Sequence, residues 1–226
     1  MSPDPTAALD PAAREALGKV LELLAEERAS VSSVVDRRAW KVHVADSLTG
    51  LQVPELRDAS RIADVGAGAG FPGLALAVAL PGAQVDLIES VTRKCAFMTR
   101  AIEAAEISNA TVLDTRSEDW ASAEGRESYD VVTARAVGRL STLAELASPL
   151  LKPNGVLIAW KGKRDEDEER QLESAAESLA MRPEQILDVG QEAGSQHRHL
   201  HVVRKVGPTP PALPRRAGMA KKRPKS

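Results

Sequence analysis

The sequence predicts an α/β fold built on a mostly parallel sheet and preceded by a helical extension. From Arg61 onward, apolar runs typical of buried strands alternate with helical patterns, and this alternation indicates βαβ units. A glycine-rich stretch, residues 64–73, lies between the first strand and a buried helix. A carboxylate, Glu89, ends the next strand. With 226 residues, 43% of them hydrophobic, the chain can bury one sizeable core.

The N-terminal region is expected to be helical. Residues 1–9 are rich in Pro and Ala, and we expect them to be disordered. Asp10 is a suitable N-cap, and Pro11 fits the first helical position. Apolar residues then recur at helical spacing: Leu17, Val20, Leu21 and Leu24. A second helix is expected to start near Asp36, so residues 10–56 form a helical cap beside the glycine loop.

The second helix carries a polar strip next to its apolar face. The apolar face consists of Trp40, Val44, Leu48 and Leu51. His43, Asp46 and Ser47 share the neighbouring strip, because residues three and four apart meet on a helix. His43 is therefore a candidate substrate contact, and the alternative is a histidine that only hydrogen-bonds Asp46 or Ser47.

The remaining elements follow from the alternation of patterns over residues 57–206, which we assign to one domain. The first strand ends at Asp64, and further strands are expected over residues 84–88, 110–113, 130–134, 156–160, 186–189 and 199–206. Helices are expected over residues 74–80, 92–106 and 141–151, and a fourth is expected to open at the acidic run 165–169. Residues 152–155 have a turn composition.

The glycine-rich loop indicates a ligand close to bare backbone. It lacks the sixth-position glycine of a dinucleotide fingerprint, where Phe71 stands, and it lacks the Gly-Lys-Ser/Thr ending of a P-loop. Its pattern is an acid, Asp64, followed by Gly66, Gly68 and Gly70. A carboxylate there attracts the cationic amino group of S-adenosylmethionine, and Glu89 stands where a carboxylate takes ribose hydroxyls. The alternatives are a tight turn without a ligand, capped by Asp64, or NAD.

Cysteine content and charge distribution indicate the compartment and the kind of partner to expect. The single cysteine, Cys95, excludes an intrachain disulfide and fits a reducing cytoplasm. We expect no signal peptide and no membrane span. The net charge of −2 hides an asymmetry, because from Ala193 onward there are nine basic residues and no acid. The Pro-rich basic tail, residues 207–226, is expected either to contact an anionic partner or to act only as a solvated tail.

Three histidines alternate near the C-terminus and are candidate metal ligands. His197, His199 and His201 share one face if this stretch is a strand. The stretch has no nearby acid or thiol, so we expect no metal there.

Taken together, these segments resemble the bacterial small-subunit ribosomal RNA guanine-N7 methyltransferase G family, once called glucose-inhibited division protein B. The resemblance covers roughly residues 15–206 and includes the Phe71-Pro72-Gly73 extension of the loop. The other segments that carry it are residues 38–48, Arg93-Lys94 with Phe97, residues 116–120, residues 133–136, Lys161-Gly162 and residues 198–200. One departure stands at residues 31–34, Val-Ser-Ser-Val, where the family usually has Asn-Leu-Thr.

The resemblance implies a class I S-adenosylmethionine-dependent methyltransferase, with a Rossmann-like, mostly parallel seven-stranded sheet. It implies methyl transfer to N7 of one guanine, numbered 527 by convention, in 16S ribosomal RNA. It also implies the cofactor contacts: Gly66 and Phe71 in the loop, Glu89 at the ribose, Ser117 and Glu118 beside the adenine, and Arg135 at the mouth of the site. The partner is then 16S ribosomal RNA, within the small subunit or an assembly intermediate, and we expect a cytoplasmic monomer.

The chemistry of guanine N7 shapes the search for further site residues. N7 is an acceptor that carries no proton, so no general base is required. Arg135, Lys161 and Arg198 are candidates for holding RNA phosphate or guanine O6, and surface salt bridges are the alternative for all three. Trp160 or Phe71 is a candidate stacking plane for the base. Removal of the tail after Val206 is expected to leave cofactor binding intact and to weaken RNA binding.

Other functions remain open at this point. They are methyl transfer to another RNA or a small substrate, an NAD-dependent oxidoreductase, and a noncatalytic RNA-binding protein on the same fold. The acid and glycine pattern argues against the last of these, because RNA binding does not need it. Direct cofactor binding separates the two enzyme classes.

Overall fold

The computed structural model describes residues 4–27, 32, 34, 38–190 and 197–225. The expected start of the second helix near Asp36 lies outside these residues, as do Val31 and Ser33. Within the described part of the chain, no helix has the length and apolar character that a membrane crossing needs.

The N-terminal cap forms as the sequence predicts at its first helix. Helix α1, Pro11–Glu26, starts at the N-cap Asp10, whose carboxylate accepts from the Ala13 N–H, and buries Leu17, Val20 and Leu24. The second helical region is irregular, with a π-helical turn at Trp40–Ala45, a short α2 at Asp46–Leu48 and a 3₁₀ turn at Thr49–Gln52. Helix α3, Pro54–Arg57, leads into the sheet.

Seven strands form one sheet in the order β3-β2-β1-β4-β5-β7-β6. The strands are β1 Arg61–Val65, β2 Gln84–Glu89, β3 Ala110–Asp114, β4 Tyr129–Arg135, β5 Leu151–Lys161, β6 Met181–Asp188 and β7 His199–Lys205. Pairing is parallel from β3 to β5, and β7 is antiparallel to both β5 and β6. The strand order reverses direction next to β1, which is where an open α/β sheet offers a ligand crevice. The expected mostly parallel α/β fold is confirmed.

Helices cover both faces of the sheet. They are α4 Gly73–Ala79, α5 Thr92–Ala104, α6 Ser117–Ala121, α7 Leu140–Ala147, α8 Glu166–Ala176 and α9 Met219–Lys222. One core contains the cap, α4 and α5 against side chains such as Ile62, Leu87 and Ile158. The other core contains α7 and α8 against the opposite sheet face, including Ala63 and Leu157. Alternation along each strand supplies both cores, since successive side chains face opposite sides.

Two expectations about local structure are wrong. The helix expected to run to residue 151 ends at Ala147, and Leu151 already begins β5, so the presumed turn at residues 152–155 lies within the bent start of that strand. Residues 4–9, expected to be disordered, form a turn in which Thr6 is buried. The Arg14 guanidinium donates to the Thr6 carbonyl at 2.6 Å and holds this turn against α1.

The basic tail also differs from the expectation. Residues 209–225, called the C-terminal segment below, lie on the α7 side of the sheet. Leu213 and Ala220 are buried in the second core, at 3% and 2% exposure. Arg215 forms a two-pronged ion pair with Glu145 of α7, with both distances 2.6 Å. The segment is therefore packed against the domain rather than solvated along its length.

Candidate active site

The glycine loop departs from β1 with three residues in the left-handed region. Gly66, Gly68 and Gly70 have φ of 68°, 62° and 86°. The Gly66 N–H donates to the Ile88 carbonyl at 2.8 Å, which ties the loop to the end of β2. A Cβ on Gly66 would lie 2.7 Å from a methyl of Val137, so a side chain here would force Val137 to shift. The loop thus presents bare backbone at the carboxyl end of the sheet, as a close ligand requires.

Asp64 lies beneath the loop and not beside a ligand. Its carboxylate accepts from the Gly73 N–H at 2.9 Å and from the Thr133 hydroxyl at 3.0 Å, and the side chain is buried. Burial raises the pKa of Asp64 to about 6, against the lowering effect of these two hydrogen bonds. The expected direct contact with the cofactor amino group is therefore not what this geometry provides. Asp64 holds the loop to α4 and β4.

The other two glycines of the loop contact protein groups and do not line the cleft described below. The Gly68 N–H donates to Glu89 Oε2 at 3.1 Å, and a Cβ there would meet only the Gly66 carbonyl, 3.7 Å away. A Cβ on Gly70 would lie 2.4 Å from Leu74, so Gly70 is required by packing. Of the three glycines, only Gly66 lines the cleft described next.

A cleft of about 300 Å³ opens at the carboxyl ends of β1, β2 and β4. Its wall includes the predicted residues Gly66, Glu89, Ser117 and Glu118. Glu89 is held by three backbone N–H groups, from Gly68, Ser90 and Val91, at 2.8–3.1 Å. A carboxylate has about four acceptor sites, so Glu89 can accept one further hydrogen bond, such as one from a hydroxyl in the cleft.

Ser117 and Glu118 form the far wall of the cleft at the start of α6. The Ser117 hydroxyl donates to Glu118 Oε2 at 3.1 Å. The other oxygen of Glu118 accepts from the Gly218 N–H at 2.7 Å. Gly218 and Lys221 of the C-terminal segment line this cleft as well. Sequence analysis pointed to neither residue, and it placed the tail outside the domain that forms this cleft.

Ala136 and Val137 complete the wall on the β4 side. Ala136 has φ of 59°, a conformation that is costly for a residue with a Cβ. Strain of this kind is concentrated at binding sites, where the surrounding structure enforces it. The turn at Ala136 follows Arg135 directly, and so it separates the cleft from the next group of residues.

Arg135 and Arg198 meet at one buried carboxylate, Asp46. An Arg135 nitrogen donates to Asp46 Oδ2 at 2.8 Å, and Arg198 Nε lies 2.7 Å from Oδ1. Asp46 comes from the cap, Arg135 from the end of β4, and Arg198 from the start of β7. The Arg198 side chain remains 23% exposed and that of Arg135 remains 13% exposed. We call Asp46, Arg135, Arg198 and His43 the arginine cluster.

His43 joins the cluster to the glycine loop. Its ring stacks on Phe71, with centroids 5.0 Å apart and an interplanar angle of 21°. Its Nε2 donates to the Val34 carbonyl at 2.9 Å, and its Nδ1 faces Arg135 at 3.4 Å. Burial lowers the pKa of His43, so the ring is neutral at pH 7 and the cluster carries one net positive charge. The expected partners Asp46 and Ser47 do not bond the ring.

Ser32 also contacts His43, within the segment that departs from the family pattern. Its hydroxyl lies 3.2 Å from His43 Nε2. Ser32 and Val34 therefore supply the polar contacts to Nε2 of this ring.

Three other predicted positions are engaged with neighbouring groups of the protein. Phe71 is only 4% exposed and is stacked on His43, so it offers no free face to a base. Trp160 is buried, and its indole N–H donates to the Asp46 carbonyl at 2.9 Å. Lys161 is paired with Glu168 at 2.6 Å and also donates to the Gly138 carbonyl. Of these residues, Trp160 positions Asp46 and Lys161 fixes the loop before α7.

The alternating histidines form no metal site in the part of the chain that the structure describes. His201 is buried and burial lowers its pKa to about 4, while His199 bonds the Gly162 carbonyl.

Comparison with known proteins identifies a family. A family model described as rRNA small subunit methyltransferase G matches residues 17–201. A protein named Ribosomal RNA small subunit methyltransferase G from Rubrobacter xylanophilus is 42% identical over 186 residues, which are 80% of this chain and 71% of the relative. Proteins of the same name from Pelotomaculum thermopropionicum and Bacillus subtilis are 38% and 34% identical, covering 84% and 88% of this chain and 80% and 84% of those relatives.

Solved structures share the fold at low sequence identity. A SAM dependent methyltransferase from Aquifex aeolicus superposes with a TM-score of 0.56 at 17% identity, covering 76% of this chain and 94% of that chain. The Methanococcus jannaschii fibrillarin pre-rRNA processing protein gives a TM-score of 0.57 at 18% identity, covering 72% and 74%. These likenesses support the Rossmann-like class I fold.

Proposed function

Because the chain belongs to the rRNA small subunit methyltransferase G family, we propose that it methylates N7 of one guanine, numbered 527 by convention, in 16S ribosomal RNA. The chain is an S-adenosylmethionine-dependent methyltransferase, and its substrate is small-subunit ribosomal RNA. The choice of atom and nucleotide is the proposal. The observation that supports it most is the position of the arginine cluster next to the cleft, across the turn at Ala136.

The cleft fits the nucleoside end of S-adenosylmethionine. Glu89 has acceptor capacity for a ribose hydroxyl, and the glycine at position 66 leaves room that a side chain would fill. Ser117 and Glu118, which line the cleft, are the proposed contacts to the adenine. Gly68, Gly70 and Phe71 shape the loop, while Asp64 holds it from beneath. When bound, the cofactor supplies a methyl group on a sulfonium centre. The protein has to hold that centre beside the base.

The residues present suit an acceptor that needs no deprotonation. Guanine N7 has a free lone pair, so methyl transfer requires orientation and not a general base. His43 is buried, neutral and bonded through both ring nitrogens, which agrees with a structural role. Proximity and orientation alone can supply roughly 7–11 kcal/mol of a barrier.

Arg135 and Arg198 are the proposed contacts to guanine O6 or to phosphate. They share one carboxylate, so a positive charge remains for an anion or a carbonyl oxygen. An exposed guanidinium plane can also stack on an unpaired base. The buried Trp160 and Phe71 leave this role to the arginines. We assign Lys161 a structural role, because its ammonium donates to both Glu168 and the Gly138 carbonyl.

The proposed partner is the small ribosomal subunit or an assembly intermediate of it, met by a cytoplasmic monomer. The C-terminal segment carries Arg216, Lys222 and Arg223, none of which lines the cleft, and these cations are suited to phosphate contacts at the rim.

Transfer of a labelled methyl group tests the proposal. Small subunits that lack the modification are incubated with labelled S-adenosylmethionine, and the labelled base is mapped by nuclease digestion. The expected result is label at N7 of a single guanine. Label on another RNA or another base atom would overturn the proposed target. Failure of the wild-type protein to bind S-adenosylmethionine would contradict the cofactor assignment, and binding of NAD instead would favour the oxidoreductase reading.

A further inference from the structure

The C-terminal segment is anchored to the domain at its beginning by a buried lysine. Lys205 Nζ donates to Glu127 Oε1 at 2.8 Å and to the Thr209 hydroxyl at 2.7 Å, and the Thr209 N–H also donates to Glu127. The Lys205 and Thr209 hydrogen bonds lower the pKa of Glu127 to about 2. The carboxylate therefore stays ionised across the physiological pH range and keeps the segment attached.

Further contacts direct the segment across α7. The Leu213 side chain is buried, and its carbonyl accepts from Arg126 at 3.2 Å. Arg215 pairs with Glu145, which is only 3% exposed because the segment covers it. The Thr142 hydroxyl donates to the Ala220 carbonyl at 3.3 Å. A buried carboxylate without a cation would destabilise the fold, so the pairing of Glu145 with Arg215 favours the packing of the segment on α7.

These anchors place two residues at the cleft. Gly218 has φ of 81° and donates its N–H to Glu118 Oε1 at 2.7 Å, and a Cβ at this position would meet no atom within 4 Å. The glycine is thus needed for its backbone conformation and not for space. Lys221, three residues later on α9, lines the same cleft, whereas the adjacent Lys222 does not.

We infer that the C-terminal segment is a wall of the cofactor site and that Lys221 is a cofactor contact. The inference rests on the proposed function, since it assumes that the cleft holds S-adenosylmethionine. Gly218 positions Glu118 by donating to Oε1, while the Ser117 hydroxyl donates to Oε2. The Lys221 ammonium then supplies a donor to a ring nitrogen or ribose oxygen on the side opposite Glu89. The cleft also holds the carboxylates Glu89 and Glu118 and the cations Lys94 and Arg116, and Lys94 lies 3.8 Å from Glu89.

The chain provides a matched pair of variants for the test. Lys221→Met and Lys222→Met remove the same charge from neighbouring exposed positions of one short helix, and only the first position lines the cleft. Binding of S-adenosylmethionine to the full-length protein is measured by calorimetry without RNA. We expect K221M to bind about five- to tenfold more weakly, as for loss of one charge-assisted hydrogen bond, and K222M to stay within about twofold of wild type.

A truncated chain ending at Arg216 tests the wall as a whole. It keeps Leu213 and the Arg215–Glu145 pair and removes Gly218 and Lys221. Its affinity is expected to fall by about tenfold or more, and thermal unfolding is measured alongside to verify that it remains folded. If the truncated chain does not fold, the comparison of K221M with K222M tests the inference. Equal affinity of K221M and K222M would overturn the inference. A wild-type protein that binds no S-adenosylmethionine would overturn the proposed function and this inference with it.

Discussion

The cleft and the arginine cluster lie side by side and differ in how their charged groups are held. The cleft holds two carboxylates, Glu89 and Glu118, that accept from backbone N–H groups, and it is also lined by Lys94, Arg116 and Lys221. The arginine cluster holds two guanidinium groups on one buried carboxylate. Hydroxyl and amino groups of a cofactor are donors and suit the first region. Phosphate and carbonyl oxygens of RNA are acceptors and suit the second.

This difference assigns separate tasks to the two regions. Carboxylates that the backbone already orients can bind a nucleoside without rearranging. The two arginines keep partly exposed side chains and can therefore contact a large polyanion. The boundary between the two regions is short, because Arg135 is followed directly by Ala136 and Val137 of the cleft wall. Variants that affect one region and spare the other therefore sharpen the comparison.

The largest expected effect comes from Gly66→Ala. Its Cβ would lie 2.7 Å from Val137, in a conformation that disfavours side chains. Because Val137 lines the cleft, the clash displaces the wall, and we expect the affinity for S-adenosylmethionine to fall on the order of a hundredfold. Gly82→Ala is the control, since a Cβ there meets nothing within 4 Å. Equal affinities for the two variants, measured by calorimetry, would refute the loop assignment.

The next effect is expected from Asp46→Asn in the arginine cluster. The change keeps the shape but leaves two partly buried guanidinium groups with no anion. We expect the free energy of unfolding in urea to fall by about 3–5 kcal/mol. Asp167→Asn removes the carboxylate of an exposed ion pair with Arg170, and its effect should stay within about 1 kcal/mol. A loss in D46N as small as that in D167N would show that the buried pairing contributes little.

A smaller effect, visible through pH, is expected at Asp64. The unfolded chain loses this proton near pH 3.8, whereas the folded chain keeps it until about pH 6. Between these values the unfolded state binds fewer protons, so raising the pH favours unfolding. Relative to D64N, the wild-type free energy of unfolding should fall by about 2 kcal/mol from pH 4 to pH 7. Parallel stability curves for the two proteins over this range would contradict the raised pKa.

The sequence predicts the sheet and the cleft better than the arginine cluster. Strand–loop–helix alternation is local, so β1, β2 and the positions of Glu89 and the glycine loop follow from short patterns. The orientation of the Asp64 side chain could be predicted from the sequence, because Ile62 and Asp64 share a strand face that α4 covers. The direct cofactor contact proposed for it overlooked this alternation.

The meeting of Asp46, Arg135 and Arg198 could not be predicted from spacing. These residues come from three distant elements, and only the assembled sheet brings them to one carboxylate. The C-terminal segment carried a weak signal, since Leu213 and Ala220 are apolar residues within a basic stretch. The interpretation of residues 207–226 as a solvated tail or a site for an anionic partner rests on charge composition. Glu145, the buried partner of Arg215, lies 70 residues away in the chain and gives no local signal.

Two measurements on the Arg198→Met variant test the separation of the two regions most directly. One measures the affinity for S-adenosylmethionine, and the other measures single-turnover methyl transfer to unmodified small subunits. Arg198 pairs with Asp46 but does not line the cleft. We predict cofactor affinity within about twofold of wild type and methyl transfer reduced by about tenfold or more, as expected when one charged contact to RNA is lost. Equal losses of cofactor affinity and methyl transfer would contradict the separation.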